Sequence, residues 1–204
     1  DTETAKRFQL GLSPGSRSEL LEHLTTLGYS QEQVVRAGLA TSSNNGPPRD
    51  LFHGRLMFPI HDDQGNMAGF GGRSLDDSDP KYLNSPRTEV FDKGHILYAF
   101  HLAKANIKEH GEVVVVEGYM DALAAHQHGF ENVVATLGTA LTPKHASLLR
   151  RIADTVVLLF DGDEAGQRAA DRAIEVFFRE PVDVKIAVLP GGKDPDDLLK
   201  DQGG

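Results

Sequence analysis

Apolar residues in the first forty positions recur at intervals of three and four: Leu20, Leu21, Leu24 and Leu27, then Val34, Val35 and Leu39. That spacing puts them on one face of a helix. It predicts two short helices, the first capped by Ser16 or Ser18 and closed at Gly28, the second capped by Ser30 and closed near Gly38. Thr41 to Asp50, TSSNNGPPRD, reads as an exposed loop from its Asn, Gly and Pro content. From Arg55 the pattern turns to β: RLMFPI, a turn through HDDQGN, then MAGFGGRSL, together a hairpin of antiparallel strands. The following stretch, to Phe100, is rich in turn residues, with Arg73, Lys81, Arg87 and Lys93 spaced among Tyr82, Asn84, Phe91 and Tyr98. By residue type alone it is a solvated loop. Leu97 to Ile107 then reads as a helix, with Lys104 and Lys108 toward the end that the helix dipole favours for cations.

After residue 111 the periods alternate regularly. Strands are expected over 112–117, 132–136, 155–160 and 182–189, with helices over about 120–128, 143–151 and 164–178 and a short one from Pro195. Thr142-Pro143 and Asp194-Pro195 each pair an N-cap residue with proline at the first helical position. The fold class is therefore α/β, a parallel sheet with flanking helices, preceded by a smaller mixed α+β subdomain.

Two strands end abruptly in acids: VVVV runs into Glu117 and Gly118, and VVLLF runs into Asp161, Gly162 and Asp163. Ligands of open α/β sheets bind outside the carboxyl ends of the strands, so these acids are placed where chemistry is expected. Asp121 and Asp194 read equally well as helix caps. Crowded carboxylates repel and raise one another's pKa unless a cation holds them. With oxygen donors only, that cation would be Mg²⁺ or Mn²⁺ rather than zinc.

Composition narrows the field. Among 204 residues there is no cysteine, which excludes disulfides and thiolate zinc sites. His126 and His128, at i and i+2 on a helix, point apart and are not a metal pair. No apolar run approaches the roughly 20 residues of a membrane helix, and DTETAKRF lacks the features of a signal peptide, so a soluble, cytosolic protein is expected. The net charge of −9 is unevenly spread: residues 1–111 carry 12 Lys and Arg against 14 Asp and Glu, residues 112–204 carry 9 against 16. The acid excess lies in the half that holds the strand-end carboxylates, where bound cations would offset it.

The EG at 117–118 and DGDEAG at 161–166 resemble the TOPRIM module shared by bacterial-type primases, topoisomerases and some nucleases. The likeness is wider than the module. GFGGRSL (69–75), PKYLNSPRTEVFDKG (80–94), LY (97–98), VVEGYMDALA (115–124), LGTALT (137–142) and GGKDPDDLL (191–199) follow in the order and spacing of the RNA-polymerase core of bacterial DNA primases. That resemblance implies a 1–110 subdomain with a basic nucleotide- and template-binding loop and a 111–204 TOPRIM metal-binding subdomain. It makes Glu117, Asp161 and Asp163 the principal catalytic and metal-binding acids, with Asp121, Asp194 and Asp196 completing the cluster. Arg73, Lys81, Asn84 and Lys93 match positions that contact nucleotide phosphates or template, and Arg55 and Arg49 would extend a backbone track for single-stranded DNA, with Tyr82 a stacking surface.

The activity implied is synthesis of short RNA primers on single-stranded DNA for replication by metal-dependent nucleotidyl transfer. Its partners would be template, ribonucleoside triphosphates and primer. By the same resemblance the protein would be a monomer of the bacterial cytoplasm. It would be a trimmed piece without the zinc-ribbon domain or the domain that meets the replicative helicase. His61 and Asp62 stand where relatives commonly carry a basic residue, which weakens the cationic track there. Metal and nucleotide binding are expected of this piece, efficient primer synthesis alone is not. Other readings are a TOPRIM nuclease, a topoisomerase fragment needing a tyrosine nucleophile, and a module that binds single-stranded DNA or nucleotide without turnover.

Overall fold

The structure is a computed structural model that describes residues 1–43, 46–76, 79–160, 164–178, 180–189, 195 and 198–199. Its contacts divide the chain into two units, residues 5–60 with 67–92, and residues 1–4 and 61–66 with 93–204.

The first unit holds the second half of α1 (Thr2–Arg7), then β1 (Gly11–Leu12), α2 (Glu19–Thr26), α3 (Gln31–Arg36), β2 (Ala40–Ser43), β3 (Gly46–Asp50), nearly all of β4 (Arg55–His61), β5 (Met67–Ser74) and β6 (Tyr82–Asn84). Two helices form where the three-and-four spacing places them, burying Leu21 and Val34 beside Ala40. Ser30 caps α3 as expected, its Oγ accepting from Gln33 N–H while Gln33 Oε1 accepts from Ser30 N–H. The cap of α2 corrects the expectation. Ser18 sits at the N-cap but makes no side-chain bond to the helix. Asp50, 4% exposed and thirty residues away, accepts from Leu20 N–H at 2.8 Å and Leu21 N–H at 2.9 Å instead.

That distant cap also explains a second correction. The expected loop at 41–50 is an antiparallel ribbon of β2 and β3, paired Ala40 to Asp50 and Thr41 to Arg49. Adjacent residues of a strand face opposite edges, so one of Pro47 and Pro48 uses the ribbon's free edge, and the other falls where the register shifts between Thr41 and Ser43. The ribbon delivers Asp50 to α2. A four-stranded sheet in the order β1-β4-β5-β6 completes the unit, and its last member, β6, turns part of the expected loop after residue 74 into a strand.

The second unit contains α4 (Phe100–His110), β7 (Glu112–Val116), α5 (Tyr119–Gln127), β8 (Val133–Ala135), α6 (Pro143–Leu149), β9 (Thr155–Phe160), α7 (Glu164–Phe177) and β10 (Asp183–Val188). The strands form a parallel sheet in the order β10-β9-β7-β8. Val113 and Val115 of β7 and Val156, Leu158 and Phe160 of β9 alternate onto one face, which joins Phe100, Ala103 and Ile107 of α4, Leu149 of α6 and Ala173 and Phe177 of α7 in a single apolar core. Their partners Val114, Val157 and Leu159 on the opposite face are only half-buried. Thr142 caps α6, accepting from His145 N–H, with Pro143 in the first turn as expected. Asp194, the expected cap at Pro195, lies outside the described residues.

Residues 61–66, the tip joining β4 to β5, pack with this second unit. The rings of His61 and His101 lie 4.2 Å apart, and Lys104 Nζ donates to Asp63 O. Burial, reinforced by the neighbouring His61, lowers the His101 pKa from 6.5 to about 4, and burial lowers that of His61 too. The unfolded chain then binds more protons than the folded one between those values, so folding stability from this pair is present above pH about 6.5 and is lost as pH falls toward about 4. Thermal midpoints at pH 7 and pH 5 check this: His101→Phe keeps a ring against His61 and should shrink the parent's drop in midpoint over that interval.

Candidate functional site

β7 ends at Val116, and the next residue, Glu117, stands half-buried at the carboxyl edge of the sheet. Two bonds fix the backbone there. Thr136 Oγ1 donates to Glu117 O at 3.1 Å, and Thr136 N–H donates to Val116 O, tying the strand end to the chain leaving β8. Gly118 follows as the N-cap of α5, and its N–H donates to Asp121 Oδ2 at 3.0 Å. The approach is close: a Cβ at 118 would lie 2.9 Å from Asp121 Oδ2, so any larger residue would have to displace the carboxylate that caps the turn. Asp121 itself is 9% exposed. The structure thus brings Glu117 and Asp121 together across one turn and gives Asp121 the capping work that its sequence position also suggested.

Glu117 lines a cleft of about 400 Å³ together with Thr136, Gly138, Thr139, Phe160 and Arg172. Thr142, besides capping α6, donates through Oγ1 to Gly94 O at 2.7 Å, so LGTALT is anchored at both ends. Thr136 lies just before that motif; the signal that marks it is a hydroxyl directly after an apolar strand that neighbours the one carrying Glu117. Tyr119 is 4% exposed and packs edge-on to Tyr98 at 4.7 Å. Burial holds the Tyr98 hydroxyl well above its ordinary pKa. Neither ring is presented as a nucleophile.

Asp161, Asp163, Asp194 and Asp196 lie outside the described residues. Among the described residues no group of three or more His, Asp and Glu is close enough to hold a metal ion. What the described edge offers is one half-buried carboxylate with hydroxyl and backbone oxygens around it, a hard donor set that suits Mg²⁺ or Mn²⁺.

The basic residues fall into three environments. Arg73 and Tyr82 face each other across the β5–β6 ladder, with the guanidinium 5.8 Å from the ring centroid, and Lys81 and Asn84 flank Tyr82 on β6 and its approach. Lys81 and Tyr82 are exposed, Arg73 and Asn84 half-buried. Lys93 belongs to the other unit. Arg55, placed by sequence on a DNA-facing track, is instead 5% exposed, and its Nη1 donates to Pro80 O at 2.8 Å with Gly72 O and Lys81 O at 3.4 and 3.5 Å. Its alkyl stem is long enough to cross the sheet, and backbone carbonyls there satisfy a donor that burial would otherwise leave unpaired.

A family model described as DNA primase catalytic core, N-terminal domain, matches residues 1–104, and one described as Toprim-like matches residues 114–199. The chain belongs to the DNA primase catalytic core family. It is 47% identical over 199 residues to a DNA primase of Deinococcus radiodurans, covering 97% of this chain and 35% of that protein. Among solved structures, a DNA primase domain from Pseudomonas aeruginosa superimposes with a TM-score of 0.90 at 41% identity, covering 98% of this chain and 64% of that one. A DnaG primase catalytic domain bound to single-stranded DNA gives 0.91 at 37% identity, covering 100% and 67%. The chain spans about a third of the length of the curated relatives it matches. The superpositions span both sheets described here, the antiparallel one and the parallel one. No helix among the described residues is long and apolar enough to cross a membrane.

Proposed function

We propose that this chain is the polymerising core of a primase, joining ribonucleotides into short RNA on single-stranded DNA. The observation that carries the reading is the position of Glu117: it directly follows β7, and the strand paired beside it, β9, stops at Phe160, the residue before Asp161-Gly162-Asp163. Glu117, Asp161 and Asp163 would hold Mg²⁺ or Mn²⁺, with Asp194 and Asp196 completing the acidic set and Asp121 orienting the turn that presents Glu117. When bound, the metal supplies Lewis-acid polarisation of the phosphoryl oxygens and of the primer 3′-hydroxyl. The chain's own cations act on the phosphates: Arg73, Lys81 and Lys93 neutralise charge on triphosphate or template, Asn84 adds a neutral hydrogen-bonding group, and Tyr82 offers a ring for a base.

In this reading the chemistry divides between a nucleotide- and template-binding segment, residues 1–110, and a metal-binding segment, residues 111–204. The contact units are cut elsewhere because α4 packs on the parallel sheet. Template DNA, ribonucleotides and primer RNA are the partners, the setting is the bacterial cytoplasm, and the protein works as a monomer. The test is extension on an unprimed single-stranded oligonucleotide with labelled ribonucleotides and Mn²⁺. Short labelled RNA that disappears on chelation is the expected product. Metal-dependent cutting of the oligonucleotide without extension would assign the same acids to a nuclease, and failure to bind either ATP or Mn²⁺ would sink the proposal.

A further inference from the structure

Arg55 has no place in a DNA-facing track, yet its surroundings are built for it. Its aliphatic stem lies along the β5 backbone at Gly72, where a Cβ would come within 3.0 Å of Arg55 Cδ and 2.9 Å of Phe52 Cδ1. Only glycine leaves that channel open. The guanidinium then reaches the segment that enters β6, with its one short bond to Pro80 O and longer approaches to Gly72 O and Lys81 O. Lys81 O also accepts from Ser74 N–H at 2.9 Å, so two donors, one of them Arg55, converge on the carbonyl of Lys81. The backbone of Arg55 is fastened in turn: Ser13 Oγ accepts from its N–H at 2.9 Å, and Ser13 N–H donates to its carbonyl at 2.9 Å.

From this geometry we infer that Arg55 is a positioning residue, clamping the backbone at Pro80 and Lys81 so that Lys81 and the Arg73–Tyr82 pair are presented together to the phosphates of a nucleotide. The inference rests on the proposal that this ladder binds phosphate. Lys81 is an exposed, four-carbon chain, and its ammonium can be aimed only if its backbone is held. A buried guanidinium is well suited to that task, because its planar donors are fixed relative to one another. Arg73 gains from the same clamp, since its partner Tyr82 is the residue after Lys81 and pairs with it across the ladder.

The test measures ATP and AMP binding in Mn²⁺, together with binding of a single-stranded oligonucleotide at several salt concentrations, for Arg55→Met, Arg55→Lys, Lys81→Ala and the Arg55→Met/Lys81→Ala double variant. Methionine keeps an apolar stem and removes the donors. Arg55→Met is expected to weaken ATP about tenfold while AMP changes little. The double variant should lose less than the sum of the two single losses, because the part of the Arg55 effect that runs through Lys81 is already gone, and Arg55→Lys should recover part of the loss. Equal losses for ATP and AMP would mean a merely structural role. A fall of about one in the salt slope for DNA, with ATP unchanged, would mean direct contact with a template phosphate. Either result overturns the inference. If Arg55→Met fails to fold, Gly72→Ala displaces the stem with the guanidinium intact and must show the same ATP-selective loss. ATP affinity unchanged in Lys81→Ala would instead overturn the phosphate-binding reading of the ladder.

Discussion

Glu117→Gln is expected to reduce metal-dependent ribonucleotide incorporation by at least about two orders of magnitude while leaving the fold intact. The substitution is nearly isosteric, and Glu117 stands half-buried at the sheet edge rather than in the core. Its backbone bonds, to Thr136 Oγ1 and through Gly118 to Asp121, do not involve the side chain and survive. A glutamine oxygen carries no formal charge and binds a hard divalent cation far less well than a carboxylate. Thermal melting separates this chemistry from damage. Without metal the variant should melt within about 2 °C of the parent, or above it, because one like charge has left an acidic edge. With excess Mn²⁺ the parent should gain a stabilisation that the variant lacks, since only a folded state that binds the ion is favoured by it. A variant that polymerises normally would remove Glu117 from the site, and one that fails to fold would make it structural.

Much of this arrangement was legible along the chain because local chemistry and tertiary structure agree. VVVV and VVLLF are too apolar and β-branched to be anything but interior strands, and an acid-glycine pair directly after each has no use inside a core. The structure places Glu117 at the strand end that the pattern indicates. Thr142-Pro143 and Ser30 also act where sequence puts them, since a cap needs only its own helix. What sequence reading missed has the opposite character. Asp50 caps a helix thirty residues earlier, and nothing in TSSNNGPPRD marks a ribbon whose purpose is to bring that carboxylate back to α2. Arg55 looked like one more cation near a basic loop. Its burial follows from a stem running past Gly72 to a backbone segment twenty-five residues on, and no local pattern encodes such a path. The pairing of His61 with His101 is of the same kind, two ordinary histidines made unusual by burial against each other.

Truncating the helix that closes the parallel sheet should have the largest effect on stability. Ile107 is fully buried and lies on the face of α4 that also carries Phe100 and Ala103, in the core formed with Val113, Val115 and Val134. Ile107→Ala removes three carbons from a close-packed site whose neighbours sit on three different elements and cannot all collapse into the gap, so a loss of about 3–4 kcal/mol is expected. Urea unfolding should show a lower midpoint with an unchanged slope, because the surface exposed on unfolding is nearly the same. Lys108→Ala, one position on, serves as the control and should stay within about 0.5 kcal/mol of the parent. The same comparison reports on the division of the chain. Tyr98 and Tyr119 belong to the unit that contains Ile107, whereas Tyr29 and Tyr82 belong to the other. Single-tyrosine variants can therefore follow each unit separately. A shift confined to the Tyr98 and Tyr119 signals would mean that the two units unfold independently, and an equal shift in all four would mean one cooperative transition. In either case the folded fraction of Ile107→Ala should bind Mn²⁺ as the parent does, because the core substitution leaves the residues around Glu117 unchanged. A loss of metal affinity in the folded protein would mean that the carboxylate's placement depends on packing beneath the sheet, and not on Thr136 and Gly118 alone.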